Sequence, residues 1–222
     1  MKAALLIVDV QRYYLDPASS FCTYSEMRWP GSTEYLRSRV DKLVIPSILK
    51  LRQAFDDETW PVIYLRLCGV LEDRSDLHRF FRKSWADAEI EGFNDSYPLA
   101  SDPWADIEEK IRPRHSDFVF DKTGFSGFNN PRLEELLRVS EVGLLVMTGL
   151  ATSQCVDTTA RDGSDKGFTI VHVHDAQADY SEDVHQAALY AACGVCGTNI
   201  SSTTVVTDNL RLYAKETREA EL

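Results

Sequence analysis

Cys155 stands in the run Val146-Met-Thr-Gly-Leu-Ala-Thr-Ser-Gln-Cys-Val-Asp-Thr-Thr-Ala-Arg-Asp162. Residues 142–147 are apolar and β-branched enough for a buried strand. Thr148-Gly149-Leu150-Ala151 makes a small-residue turn, and Thr152 or Ser153 can cap a helix whose first turn holds Cys155. A sulfur there feels the positive end of a helix dipole and unpaired backbone N–H groups, which favour thiolate over thiol. A lone cysteine is more often a small buried hydrophobe, so its company decides. Asp9 closes the apolar run 3–8, and Lys122 closes the alternating stretch Asp117-Phe-Val-Phe-Asp. An ammonium beside sulfur stabilises thiolate, and a carboxylate takes the thiol proton and returns it to a leaving group. The turn at residues 149–151, with the N–H of Cys155, offers paired donors to a developing oxyanion.

The rest of the chain must bring these residues together. Runs at residues 3–8, 62–67, 117–122, 142–147 and 168–174 read as strands, with a short last strand at 202–206. Between them, residues 40–55, 131–139, 155–166, 183–192 and 208–219 read as helices, Pro46 being an awkward guest that kinks the first. Gly167 fits a helix stop. Residues 10–31 read as a long polar and aromatic loop, and residues 68–113 as a partly helical excursion enclosing substrate. Strands and helices alternating in this way predict an α/β protein: a three-layer αβα, mostly parallel, Rossmann-like sheet with right-handed crossovers. Asp9, Lys122 and Cys155 then meet at the carboxyl edge of the sheet, where ligands bind.

At 222 residues, with 44% hydrophobic and 27% charged residues, one domain spanning 1–222 is expected. The net charge of −11 argues against nucleic acid and anionic membrane as partners. The apolar run after Met1-Lys2 is too short for a signal peptide and ends in Asp9, no run reaches transmembrane length, and the five cysteines are odd in number. These features predict a cytoplasmic protein without a disulfide scaffold. Cys193-Gly-Val-Cys196 follows a helix rather than opening one and lacks a second ligand pair, so it reads as two packing cysteines, not a redox or zinc motif. His172 and His174 read as strand residues, one of them at the site rim.

The motifs resemble those of the isochorismatase-like cysteine hydrolases, a family that includes nicotinamidases, N-carbamoylsarcosine amidase, biuret hydrolases and ureidoacrylate amidohydrolases. Leu6-Ile-Val-Asp9-Val-Gln11 is similar to the first-strand motif, Lys122-Thr-Gly-Phe-Ser-Gly-Phe128 to the lysine motif, and residues 148–162 to the nucleophile motif. Asp175-Ala176 matches an acid-alanine pair ending the next strand. The resemblance implies Asp9 as general base, Lys122 as thiolate stabiliser and Cys155 as nucleophile. It also implies a cis peptide at Leu150-Ala151 that aims the Ala151 N–H, beside that of Cys155, at the oxyanion. Two departures matter. Tyr14 replaces a usual Phe, and residues 66–73 lack the Asp-x-His metal motif of nicotinamidases, His78 standing alone. The expectation is a homo-oligomeric (dimer or tetramer), metal-independent hydrolase, without cofactor, that cleaves a small carboxamide, ureide or carbamoyl compound through a thioester. The candidate substrate-binding residues are Gln11, Tyr14, Arg66 for a carboxylate, Trp85 for a flat group, and Phe125. Vinyl-ether hydrolysis, or a binding protein that kept the fold, are the alternatives.

Overall fold

A computed structural model describes residues 1–195 and 198–219. Among them, six strands form one parallel sheet: β1 (Lys2–Val8), β2 (Val62–Leu67), β3 (Phe118–Lys122), β4 (Val142–Leu150), β5 (Thr169–Ala178) and β6 (Thr198–Ser201), in the order β3-β2-β1-β4-β5-β6. The chain winds outward from β1 to β3, returns to the centre at β4 and winds out the other way. The switch point between β1 and β4 is where such a sheet opens a crevice beyond its strand ends. Asp9 follows β1 directly and Cys155 follows β4 by five residues.

The helices are α1 (Arg12–Leu15), α2 (Ser20–Arg28), α3 (Ser32–Arg39), α4 (Ile45–Asp57), α5 (Arg79–Ile90), α6 (Pro131–Val139), α7 (Asp157–Asp165), α8 (Glu182–Ala192) and α9 (Thr203–Glu219). All nine β4 residues are buried, which requires cover on both faces. α4 and α9 pack on each other and on the central strands, and α6 and α7 cover β4 separately from them. The three-layer αβα expectation therefore holds.

Several expectations are corrected. Residues 10–31 form helices rather than a loop: Ser19 caps α2 by accepting from the Cys22 N–H at 3.0 Å, and Phe21 and Tyr24 bury their rings. The helix expected from residue 40 opens as a wide π turn, Val40–Val44, before α4. Pro46, which lacks an N–H and crowds the preceding turn, thereby sits at the start of α4, where it is tolerated. The last strand lies at residues 198–201, not 202–206. Asp175 Oδ1 accepts from the N–H and hydroxyl of Thr203 at 2.8 and 2.9 Å, and this cap starts α9 where a strand was expected. Residues 68–113 contain α5 and two short 3-10 turns, Pro103–Ala105 and Glu109–Ile111. Cys193 is an exposed free thiol at the end of α8, not a packing cysteine; Cys196 lies outside the described residues. Gly167, with φ 87°, follows the end of α7 as expected.

Candidate active site

Asp9, Lys122 and Cys155 converge at the carboxyl edge, each almost wholly withdrawn from solvent. Lys122 Nζ lies 2.9 Å from Asp9 Oδ2, donates toward Cys155 Sγ at 3.3 Å and donates to the Gly124 carbonyl at 3.0 Å. Two hydrogen bonds and one ion pair hold the ammonium between the acid and the sulfur. Neither Asp9 oxygen completes an aligned hydrogen bond, so the carboxylate is held by charge and keeps acceptor capacity for a proton. Asp9 adopts φ 51°, an unusual conformation for a residue with a side chain. Its N–H bonds Leu65 and its carbonyl accepts from the Gln11 N–H, so both sides of this turn are fixed.

Gly149 explains how two chain segments come so close. A Cβ there would run into the backbone of Val8, and its φ is 102°; only glycine combines that approach with that conformation. The same turn corrects the cis-peptide expectation. Among the described residues no peptide bond is cis. With Gly149 making the change of direction, Ala151 continues in ordinary extended backbone at φ −85°, ψ 145°, and the Leu150–Ala151 bond is trans.

The nucleophile turn also differs from the expected capped α-helix. Residues Thr152–Val156 form a π turn without a side-chain cap of their own. Thr152 Oγ1 is engaged by His185 Nδ1 at 2.8 Å, and the Ser153 N–H donates instead to Asp179 Oδ2 at 2.7 Å. Asp179, at the end of β5 and fully buried, therefore caps this turn from the neighbouring strand. The apolar run 168–174 points to Asp175 instead, and Asp179 is reached only because β5 continues to Ala178.

The lysine segment is tied to the nucleophile helix through hydrogen bonds. The Gly127 N–H donates to Thr159 Oγ1 at 2.9 Å, and the Thr159 hydroxyl donates to the Cys155 carbonyl at 2.6 Å. Ser126 Oγ donates to Asp162 Oδ2 at 2.6 Å. A Cβ on Gly127 would meet the Leu65 side chain, so the small residue in Ser-Gly-Phe lets this loop lie on the sheet.

Burial opposes the thiolate that the helix start and Lys122 favour. Burial pushes the Cys155 thiol up, the nearby Asp9 charge adds to this, and the Lys122 ammonium only partly offsets both. Burial also raises the Asp9 carboxyl, with Lys122 pulling the other way. For Lys122 burial works against the charge, but Asp9 and Cys155 outweigh it and the net shift is upward. Burial thus works against charge on both Asp9 and Cys155, and the Lys122 ammonium is what opposes it at each. In so dry a site one anion beside the lysine is already satisfied, and a second is costly.

The expected substrate-binding residues divide. Tyr14 lines a cavity of about 300 Å³ together with Tyr24, Trp29, Phe80, Tyr97 and Tyr180, and Gln154 of the nucleophile turn also faces it. Gln11 instead clasps the scaffold: its amide donates to the Leu67 and Ala105 carbonyls at 3.3 and 2.7 Å and accepts from the Leu67 N–H at 2.8 Å. Arg66 is held by Asp121 at 2.7 and 3.1 Å, with Asp106 at 3.4 Å, and is not part of the cavity wall. Trp85 packs under the Arg74 guanidinium. Phe125 packs against Phe81 in a tilted pair at 4.5 Å and also touches the lining residue Phe80. His172 is buried against Gln177, away from a site rim. The aromatic wall from Trp29, Phe80, Tyr97 and Tyr180 was missed because aromatic residues in loops and amphipathic helices carry no periodic signal of a ligand. Among the described residues, no three His, Cys, Asp or Glu side chains gather as a metal site, and no helix is long and apolar enough to cross a membrane.

Comparison with known proteins agrees with this architecture. The isochorismatase domain model matches residues 3–204. An uncharacterized isochorismatase family protein, YrdC of Bacillus subtilis, is 27% identical over 204 residues, covering 92% of this chain and 87% of that protein. The ureidoacrylate amidohydrolase RutB of Pantoea ananatis is 37% identical over 94 residues, a stretch that spans 41% of this chain and 38% of RutB. The crystal structure of an isochorismatase family protein from Desulfovibrio vulgaris superposes with a TM-score of 0.76 at 22% identity, over 95% of this chain and 98% of the other. With its sheet order, its switch-point crevice and a family match running through all three motif segments, the chain belongs to the isochorismatase family of hydrolases.

Proposed function

We propose that the protein is a metal-independent cysteine hydrolase that cleaves a C–N bond of a small carboxamide, ureide or carbamoyl compound. The observation that carries this reading is the position of the Lys122 ammonium, 2.9 Å from Asp9 and 3.3 Å from Cys155 in a dry pocket. A positive charge beside the sulfur stabilises the thiolate once it forms, a task that metal coordination performs at other thiol sites. Asp9, raised by burial, is suited to take the thiol proton and give it up again. The ureidoacrylate activity named for RutB supports the same bond class.

In this reading, Asp9 removes the Cys155 proton as the sulfur attacks the substrate carbonyl. The tetrahedral oxyanion is assigned to the Cys155 N–H and, once the Leu150–Ala151 peptide, trans here, turns its N–H toward the sulfur, to that of Ala151. Asp9 returns the proton to the departing nitrogen, which leaves as ammonia or an amine and a thioester on Cys155. A water molecule, deprotonated by Asp9, then hydrolyses the thioester and regenerates the thiol. The same reading makes the protein a cytoplasmic homo-oligomer acting on a small molecule without nucleic acid.

The test is ammonia or amine release from a panel of amides, ureides and N-carbamoyl compounds, with chelator present. Turnover should vanish in Cys155→Ala and fall by about 10²–10⁴ in Asp9→Asn. Turnover that survives Cys155→Ala, or that chelator abolishes, overturns the reading.

A further inference from the structure

The cavity at the nucleophile turn is chemically one-sided. Its wall comes from Tyr14, Phe21, Tyr24, Trp29, Phe80, Tyr97 and Tyr180, with Ser25, Ser32, Ser84 and Gln154 as its non-aromatic members, and none of these lining residues is charged. Three cations of this region have partners of their own. Arg28 lies over the Tyr24 ring and pairs with Glu91 at 3.1 Å. Arg66, the residue expected to read a carboxylate, is held by Asp121. Lys122 is enclosed by Asp9, Cys155 and Gly124. A substrate carboxylate entering this space loses its water, finds no guanidinium or ammonium in return, and approaches the buried charge of Asp9. A neutral ring or branched alkyl group meets apolar faces on most sides.

The cavity meets the nucleophile turn at Gln154, beside Cys155 in the chain, while Asp9, Lys122 and Cys155 lie behind its wall. Tyr97 and Tyr180 are close enough to feel a charge on Cys155, and Tyr14 and Tyr97 a charge on Asp9. Its volume of about 300 Å³ is at the small end for ligand sites, enough for one ring or a short branched chain beside a carboxamide.

We propose that this cavity selects uncharged, apolar carboxamides, aromatic or branched aliphatic, and rejects substrates whose acyl group ends in a carboxylate. This deepens the cysteine-hydrolase reading and rests on it for the reaction, but the selection is a binding property. It also separates this chain from a relative named for ureidoacrylate, which carries an acid group.

The experiment uses matched pairs that differ only in a remote carboxylate: benzamide with 4-carbamoylbenzoate, and 4-methylpentanamide with 4-carbamoyl-2-methylbutanoate. Binding is measured by calorimetry to the full-length Cys155→Ala protein, which cannot form the thioester, and turnover is measured with the wild type. The neutral member of each pair should bind at least about tenfold more tightly, since the acid must be desolvated with only neutral hydroxyl and amide donors in the wall and no cation to offset its charge. Phe80→Arg, at a side chain 52% exposed and so tolerant of change, should narrow or reverse that preference by supplying a cation at the wall. Equal or tighter binding of the carboxylates overturns the proposal, and so does absence of binding by both members of both pairs. Neutral amides that bind Cys155→Ala but are not cleaved by the wild type leave the selection standing and overturn the cysteine-hydrolase reading instead.

Discussion

Lys122 Nζ stands 2.9 Å from Asp9 Oδ2, and neither side chain has appreciable contact with water. A pair buried this deeply tolerates the loss of either member poorly, because the survivor keeps its charge and loses its partner. Lys122→Met should therefore destabilise the fold by about 3–5 kcal/mol, measured by urea unfolding. Adding Asp9→Asn should restore part of that loss while leaving the protein inactive. A double variant no more stable than Lys122→Met would show that the pair is not coupled.

The direction of the Asp9 shift sets a pH profile. Its carboxyl is raised above the usual 3.8 by burial, and the Cys155 thiol is raised as well. Alkylation of Cys155 by iodoacetamide should accelerate as Asp9 ionises, with a midpoint above the ordinary carboxylate value. Asp9→Asn should erase that limb and leave only a rise at alkaline pH. Because the folded-state pKa of Asp9 is raised, its contribution to stability is complete below the unfolded value of 3.8 and is lost as pH rises through the folded value.

His185 makes the opposite prediction. Arg39 Nη2 donates to its Nε2 at 2.8 Å, so the ring proton lies on Nδ1, which donates to Thr152 Oγ1 at 2.8 Å. Burial, followed by the Arg39 charge, lowers its pKa from 6.5 to about 4. A group depressed in this way stabilises the fold fully above 6.5, and that contribution is lost as pH falls through about 4. Stability should drop by about 2–3 kcal/mol across that window, and His185→Gln should flatten the dependence. An unchanged profile in His185→Gln would assign the acid sensitivity to other groups.

Thr159 links the lysine loop to the nucleophile turn, accepting from Gly127 and donating to the Cys155 carbonyl. Thr159→Val keeps the shape and removes both bonds, leaving a buried N–H without a partner. Stability should fall by about 1–3 kcal/mol, and kcat should fall more than KM rises, since the relation of Lys122 to Cys155 changes rather than the cavity wall. A variant altered only in KM would place Thr159 outside this linkage.

Gly149→Ala tests the contact between β4 and the end of β1. The added Cβ meets the Val8 backbone at a positive φ, so accommodation requires moving the strand end that carries Asp9. A loss of about 3 kcal/mol or more is expected, read as a lower denaturation midpoint. Retention of wild-type stability would mean that the strand ends can separate without cost.

How much of this was legible in the chain follows from where each signal resides. Asp9, Lys122 and Cys155 were placed from sequence alone because each closes or follows an apolar run, and parallel strands bring such ends to one edge. The αβα architecture followed from the same alternation. Other features depend on partners distant in sequence. Whether Cys155 rests as thiol or thiolate is decided by burial and by Asp9, 146 positions away, not by the local turn. Asp179 rather than Thr152 or Ser153 caps the nucleophile turn because the neighbouring strand delivers a carboxylate there. Arg66 looked free to bind a carboxylate until folding set Asp121 beside it, and Gln11 looked available until β2 took both ends of its amide. Local pattern thus determined which residues share an edge. Only the tertiary structure, through burial and long-range pairing, decided their charge, their remaining hydrogen-bonding capacity and the apolar wall that faces them.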